Sequence, residues 1–380
     1  MPRRLLTLSH SYVVALNRRL AVEMARAGGG EWSVTAAAPR FFHGDLRPIP
    51  LERDQAGGGG LELVELDAHL TRFPHFFFYG PGLRRVAGQR WDVLHCWEEP
   101  YVLAAAEVAA FAGSGARLVF STYQNLPKRY PQPFRSLERR ALSRAAGWVG
   151  GGRTVVEALA DRPGYRERPW AQIPMGVDLD AFQPDPRARA AVLERLGWSG
   201  GGPPVFGFMG RFVPEKGCAL FMEALDGLSG DWRALVVGDG PLRAELEKWA
   251  NRRPERVRVL PGVRHDEVPA HLNAMDVVCV PSQTTPRWKE QFGRALVEAF
   301  ACGRAVLASD SGEIPHTAGP AAELLPESNA GAWTAAMERL RDDPDRRRRL
   351  GELGVERARR HFAWPVVARQ HLEFFEKLLG

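Results

Sequence analysis

The run Lys289-Glu290-Gln291-Phe292-Gly293-Arg294-Ala295-Leu296-Val297-Glu298 sets two carboxylates eight positions apart around a loop that turns into a helix. Upstream, an apolar run ends in Pro281-Ser282 and a Thr284-Thr285-Pro286 turn follows. Downstream, the helix closes at Cys302-Gly303 before the strand-like Ala305-Val306-Leu307-Ala308. This pattern predicts Glu290 in the loop before the helix and Glu298 about two turns inside it. The amides of Gln291, Phe292 and Gly293 are expected at the helix N-terminus, where N–H groups without intrahelical partners and the positive dipole end attract an anion. A diphosphate could rest there, with one carboxylate accepting hydroxyls from a sugar and the other from a ribose.

A second segment points the same way. Val205-Phe206-Gly207-Phe208-Met209 reads as a buried strand, followed by Gly210-Arg211-Phe212-Val213-Pro214-Glu215-Lys216-Gly217 and an amphipathic helix from Cys218 to Leu228. Arg211 and Lys216 would then flank a tight turn at the C-terminal end of a strand, where open α/β sheets bind ligands. Arg offers a fork to phosphate oxygens and Lys a point charge, each charge-assisted bond worth roughly 1.5–3 kcal/mol. The bland alternative for either segment alone is a solvated basic turn or a capped surface helix.

Taken together, GRFVPEKG and KEQFGRALVE resemble the phosphate loop and the paired-glutamate signature of GT4 glycosyltransferases, which are retaining, nucleotide-sugar-dependent enzymes of GT-B fold. The resemblance is densest from Val205 to Pro315, including Val236-Val237-Gly238-Asp239-Gly240-Pro241 and Val280-Pro281-Ser282, and thinner over the N-terminal half. It implies two Rossmann-like parallel-sheet domains facing a central cleft. The first is expected over 1–175, on the acceptor side. The second, over 176–364, would bind the nucleotide sugar, and a last helix over 365–380 would cross back onto the first. Ile173-Pro174-Met175-Gly176-Val177-Asp178 resembles the family's hinge, with Met175 where Asn is usual.

Composition agrees with a globular enzyme. The chain has 380 residues, enough for two domains of ordinary size, and 45% of them are apolar. No apolar run is long enough for a membrane span, and Met1 to His10 lack a signal-peptide core, so a cytoplasmic protein is expected. Cys96, Cys218, Cys279 and Cys302 lack CxxC spacing and are expected as buried thiols. The net charge of +6 comes from a basic set with five Lys and 46 Arg, which reads as compositional bias. No helix-turn-helix, RRM or zinc-finger pattern supports a nucleic-acid partner.

Strand-like and helix-like segments alternate, as α/β units require. Strands are predicted near 5–9, 33–38, 61–66, 93–96, 117–121, 148–150 and 171–174. Helices are predicted at 16–27, 100–111, 134–145 and 242–250, with an Arg-dense helix over 345–362 and an amphipathic one from Trp364-Pro365 to Leu379. Glycine-rich breaks at Gly57–Gly60 and Gly200–Gly202 read as a loose loop and a domain entrance.

Gly238-Asp239-Gly240 follows a strand, but Arg243 occupies the third position of a dinucleotide fingerprint and is too large for it. The resemblance instead places Gly238 and Gly240 in a tight turn beside the nucleotide, Ser282 at the donor, and Val263 and Arg264 nearer the base. Glu98, Glu99 and Tyr101 follow a buried strand, and acceptor recognition or contact with the transferred sugar is the functional reading there. The alternative for Glu99-Pro100 is an acidic helix start. His95 is expected as a satisfied core histidine. Gln124 and Asn125 follow the next strand, where many GT4 enzymes carry a His that touches the donor sugar. The Ser9-His10-Ser11 loop stands where the family has a Gly-Gly phosphate loop. The aromatic block Phe73 to Tyr79, with Arg72, Arg84, Arg85, Lys128, Arg129, Arg135, Arg139 and Arg140 nearby, is expected as core. Its alternative is peripheral docking on the inner membrane face or on a lipid-linked acceptor.

The resemblance therefore implies hexose transfer from a UDP- or GDP-linked sugar to an unidentified acceptor, with retention by front-face substitution. Arg211, Lys216 and Glu290 are the expected catalytic residues, and Glu298 the ribose ligand. No metal and no cofactor beyond the donor are expected. A sugar-nucleotide epimerase of the same fold and an inactive nucleotide-sugar-binding subunit are the alternatives.

Overall fold

In a computed structural model of the chain, residues 1–44, 48–53, 61–198 and 201–380 are described. Of the expected glycine-rich breaks, Gly57–Gly60 and Gly200 lie outside them. The chain divides into two compact units, Met1–Gly176 with Trp364–Gly380, and Val177–Ala363.

Unit 1 carries β1 (Arg3–Leu8), β2 (Trp32–Pro39), β3 (Phe41–His43), β4 (Pro48–Pro50), β5 (Glu62–Leu66), β6 (Val93–Cys96), β7 (Arg117–Thr122), β8 (Ala145–Gly150) and β9 (Trp170–Gln172). Its main sheet is parallel with order β5-β2-β1-β6-β7-β8-β9, while β3 and β4 pair antiparallel apart from it. The helices between are α1 (Ala15–Ala27), α2 (Pro81–Ala87), α3 (Leu103–Phe111), α4 (Phe134–Arg144) and α5 (Arg153–Leu159). All four residues of β6 are buried, the continuous apolar pattern of a strand covered on both faces. Its polar member, His95, is satisfied inside the core, with Nδ1 at 2.9 Å from the Thr7 hydroxyl and Nε2 at 2.8 Å from that of Ser121.

Unit 2 carries β10 (Val205–Met209), β11 (Arg233–Gly238), β12 (Val257–Pro261), β13 (Val277–Val280), β14 (Ala305–Ser309) and β15 (Glu323–Leu325), all parallel in the order β12-β11-β10-β13-β14-β15. Its helices are α6 (Pro186–Arg195), α7 (Cys218–Asp226), α8 (Arg243–Asn251), α9 (Val268–Ala274), α10 (Arg294–Ala301), α11 (Ile314–Ala318), α12 (Ala330–Asp342) and α13 (Pro344–Arg357). A π-helical turn, Ala358–Phe362, follows α13. The chain then returns to unit 1 as α14 (Trp364–Leu379).

Helix α14 buries Val367, Ala368, His371, Leu372, Phe374 and Phe375, the one-and-four spacing of a helical stripe. This stripe joins Leu5, Leu20, Met24 and Trp32 in one apolar cluster, so α1 and α14 share a face of the sheet. All four cysteines are buried free thiols.

Several local expectations are corrected. The helix expected at Pro100 begins at Leu103, and its N-cap is Val102, so Glu98 and Glu99 do not start it. Helices α2, α5, α6, α9, α11 and α12 went unread; all but α12 are ten residues or shorter, and such short stretches carry a weak periodic signal. The aromatic block is only half core: Phe77 and Tyr79 are buried, whereas Phe73 and Phe76 are 57% and 42% exposed.

Because Phe375 is fully buried against Trp32, His95 and His371, Phe375→Ala is expected to cost about 3–5 kcal/mol. Urea unfolding monitored through unit 1 tryptophans checks this; a loss below ~1 kcal/mol would show that α14 does not seal the core.

Candidate active site

In unit 2 the chain winds from β10 out to β12, then crosses to β13 on the other side of β10. Neighbouring strands whose connections leave in opposite directions open a crevice at their C-terminal ends, the usual ligand position in such sheets. The loop after β10, Gly210 to Gly217, and the loop after β13, Pro281 to Gly293, border this crevice. Backbone contacts lock the two loops together. Gln283 N–H donates to the Glu215 carbonyl at 2.8 Å. Gly217, at φ +75°, lies so close to Pro281 that a Cβ would sit 1.8 Å from its carbonyl oxygen. Only glycine fits there, for both conformation and space.

This packing brings together residues 74 positions apart. Lys216 Nζ donates to Glu290 Oε2 at 2.6 Å, and the Ser282 hydroxyl donates to the same oxygen at 2.8 Å. Glu290 is 6% exposed. Burial opposes its ionisation, but Lys216, Ser282 and the Gln291 backbone N–H outweigh burial and hold the carboxyl below its usual range. Lys216 Nζ also stands 5.1 Å from the centre of the Trp288 ring, a cation–π distance. Arg211 projects from the same loop as Lys216 and is exposed.

The helix α10 begins at Arg294, after Gly293 in the left-handed conformation at φ +85°. Gln291, Phe292 and Gly293 therefore form the loop leading into the helix, and the first bond of the turn is Leu296 N–H to the Gly293 carbonyl. Phe292 is buried, with its ring 5.7 Å from that of Phe362, which pins the loop. Glu298 is the fifth residue of α10, little more than one turn in, rather than two. Burial pushes its carboxyl up to about 7, with Arg294 one turn earlier pulling the other way.

The remaining donor-side candidates lie on the neighbouring strand ends. Gly238 closes β11, and Gly240 packs against the Phe212 backbone. Phe212 N–H donates to the Asp239 carbonyl at 2.8 Å, and Leu242 N–H to the Phe212 carbonyl at 3.0 Å, joining the β10 and β11 loops. Val263 is half-buried just beyond β12, while the exposed Arg264 forms a two-bond pair with Asp266 at 3.0 Å.

Unit 1 has its own switch point, between β1 and β6. There the Glu98 carboxylate is 3% exposed and accepts from the His10 backbone N–H at 2.5 Å and from the Tyr79 hydroxyl at 2.7 Å. His10 Nδ1 lies 2.5 Å from its other oxygen. Glu99 turns elsewhere, accepting from the Thr122 hydroxyl at 2.6 Å and the Tyr123 N–H at 2.7 Å. Burial outweighs these bonds and pushes the Glu99 carboxyl up to about 7. Tyr101 stacks on Tyr130 with ring centres 4.1 Å apart. Buried Gln124 donates to the Tyr130 hydroxyl and accepts from Leu126 N–H, and Asn125 is buried beside it.

Three participants escaped the sequence reading. Trp288 was not singled out, and His10 was noted only as part of a loop replacing glycines. The third is Ser311-Gly312-Glu313 after β14: Glu313 N–H donates to the Glu290 carbonyl at 2.9 Å, and a Cβ on Gly312, at φ +56°, would lie 2.1 Å from that oxygen. A strand followed by Gly and a Pro-containing helix start was the available signal, the same punctuation seen at β10.

The description "Glycosyl transferases group 1" matches residues 198–357, and "Glycosyltransferase Family 4" matches residues 18–181. The GDP-mannose-dependent alpha-(1-6)-phosphatidylinositol monomannoside mannosyltransferase of Mycolicibacterium smegmatis is 34% identical over 201 residues, covering 50% of this chain and 52% of the relative. The D-inositol 3-phosphate glycosyltransferase of Xylanimonas cellulosilytica is 30% identical over 306 residues, covering 76% and 68%. The chain spans between 52% and 64% of the length of four curated relatives, the M. smegmatis protein and three others. Among solved structures, Anabaena HepE in complex with UDP and glucose superposes with a TM-score of 0.73 at 18% identity, over 99% of this chain and all of that one, which is a likeness of fold. With its two parallel-sheet units and these matches along both of them, the chain has the GT-B fold and belongs to the group 1, GT4-type family of glycosyltransferases.

Proposed function

We propose that this protein transfers a hexose from a nucleotide-diphosphate sugar to an acceptor hydroxyl, with retention at the anomeric carbon. The observation that carries this reading is the Lys216–Glu290 pair at the unit 2 switch point. Lys216 and Arg211 would receive the diphosphate, with the Phe292 and Gly293 amides completing the anion site. Glu290 would hold sugar hydroxyls and Glu298 the ribose hydroxyls. Donors named for curated relatives include GDP-mannose, so GDP- and UDP-linked hexoses are the first substrates to test.

As the bond between the anomeric carbon and the phosphate oxygen breaks, its electron pair goes to the diphosphate. Preorganised cations lower the barrier where that charge develops. The acceptor oxygen bonds to the same face of the carbon, and its proton passes to the departing phosphate oxygen. No metal enters this scheme, because the side-chain cations meet the diphosphate. In unit 1 the His10–Glu98–Tyr79 cluster is the candidate for holding an acceptor hydroxyl. The exposed Phe73 and Phe76, with the exposed basic residues Arg72, Lys128, Arg129, Arg135 and Arg139, would let a lipid-borne acceptor approach on an anionic bilayer. Phe76 lies 5.1 Å from Phe134, at the head of the basic helix α4.

Lys216→Ala is expected to lower turnover by about 10²–10³ with a smaller change in donor affinity, measured by donor consumption in the presence and absence of acceptor. Turnover like that of the wild type would remove the assigned role, and an inverted product anomer by NMR would remove retention.

Glu298 gives a pH signature. A ribose held by its carboxylate requires ionisation, so nucleotide affinity should weaken as pH falls through about 7, and Glu298→Gln should flatten that profile. The same carboxyl ionises near 4.5 when unperturbed but near 7 when folded, so its ionisation subtracts stability as pH rises through that window. Glu298→Gln should therefore raise Tm at pH 8 and leave it unchanged at pH 4. An equal Tm change at both values contradicts this.

Sedimentation with vesicles containing anionic lipid should recover the protein at low salt, and Phe73→Ser/Phe76→Ser should release it. No recovery even at low salt rejects bilayer docking.

A further inference from the structure

Strands β13 and β14 begin at the edge of the unit 2 sheet opposite the Lys216–Glu290 site, and a cavity of about 600 Å³ opens there. Asp276 and Arg304 stand at the strand starts, while Arg347, Arg348 and Arg359 reach it from α13 and the π-helical turn. The carboxylates on its wall are already taken. Both oxygens of Asp276 accept from Arg189, at 2.9 and 3.1 Å. Glu356 pairs with Arg360, and Glu352 stands 3.9 Å from Arg348, which also meets Asp345 at 2.7 Å.

Arg304, Arg347 and Arg359 have no carboxylate at ion-pair distance among the described residues. Arg304 donates to the carbonyls of Cys302 and Asn273, at 2.9 and 3.4 Å, and Arg347 to those of Leu340 and Arg341. Carbonyls satisfy donors but leave positive charge uncompensated. A guanidinium cannot relieve this by losing its proton under ordinary conditions. Burial, then repulsion from Arg189, pulls the Arg304 pKa down, and the nearby Asp276 carboxylate offsets this only in part. Three guanidinium forks around one recess suit a tetrahedral oxyanion, which takes paired N–H···O bonds. A volume of this size accommodates more than a bare ion.

We propose that this cavity is a second anion site that binds a phosphate group, carried on a small phosphorylated metabolite and distinct from the donor diphosphate site. Arg359 lies in a π-helical turn, a feature frequent at functional positions. That turn ends beside Ala363, whose bridge to Val177 closes unit 2 where the chain enters and leaves it. An anion held here would brace those two segments.

The test is thermal melting and calorimetric titration of the full chain with inorganic phosphate and with glycerol 3-phosphate, at constant ionic strength against chloride. A saturable rise in Tm on the order of 2–4 °C is expected, persisting in Lys216→Met and lost in Arg359→Glu. Arg304→Gln should raise the half-saturation concentration about tenfold, a factor typical of one charge-assisted bond. Tighter binding of the ester identifies a phosphorylated metabolite; tighter binding of the free ion identifies phosphate itself. A rise that disappears in Lys216→Met belongs to the donor site and overturns the proposal. So does no rise, or an unsaturable rise equal in Arg359→Glu, which is general salting-out. Arg359 is exposed, so its variant should fold and keeps the comparison valid even if Lys216→Met does not.

Discussion

The buried charge of Glu290 is the constraint around which unit 2 is arranged. A carboxylate this deeply covered loses hydration worth several kcal/mol, and only a close cation with further hydrogen bonds can compensate. Lys216 and Ser282 provide both, from the ends of two adjacent strands. Close backbone approaches at Gly217 and Gly312 bring three loops near enough for this to happen. Without such approaches the loops would part and the buried carboxylate would be separated from its cation. The pair thus ties local backbone geometry to a cation held at the C-terminal ends of the unit 2 strands.

The two units apply one topological rule to different chemistry. Each sheet has a switch point, and at each a buried glutamate meets a basic side chain from the first strand's loop: Lys216 with Glu290, His10 with Glu98. In unit 2 the partner is a lysine ammonium, suited to phosphate. In unit 1 it is an imidazole packed 4.6 Å from Phe42 and 5.3 Å from Phe77, suited to a hydroxyl beside an apolar surface. Family membership accounts for the shared architecture; it does not dictate this difference, which belongs to the loops.

The Arg-rich composition has two structural outcomes. Many arginines form exposed pairs within a helix, such as Arg153–Glu157 and Arg243–Glu247, which contribute little to stability. Others, Arg304, Arg347 and Arg359, converge at the N-terminal edge of the unit 2 sheet with no carboxylate at ion-pair distance among the described residues. Compositional bias explains the first group. Convergence in a recess requires the tertiary fold, because Arg304 and Arg359 come from different elements.

Sequence alone determined that the chain is a pair of α/β units, because buried parallel strands read as short apolar runs and their loops as Gly- and Pro-marked turns. It also singled out Lys216 and Glu290, since loops at strand ends carry the polar residues such sheets leave exposed to ligands, while Ser282 came from the family resemblance. Tertiary structure decided what these residues do to one another. The carboxyl of Glu290 is depressed and that of Glu298 raised by partners and burial that no linear spacing encodes. His10 and Glu98 are 88 positions apart, as are many uninvolved pairs, and became neighbours only because β6 lies beside β1. Local pattern records which face or loop a residue occupies; proximity across strands depends on sheet order, which is set by the packing of the whole unit.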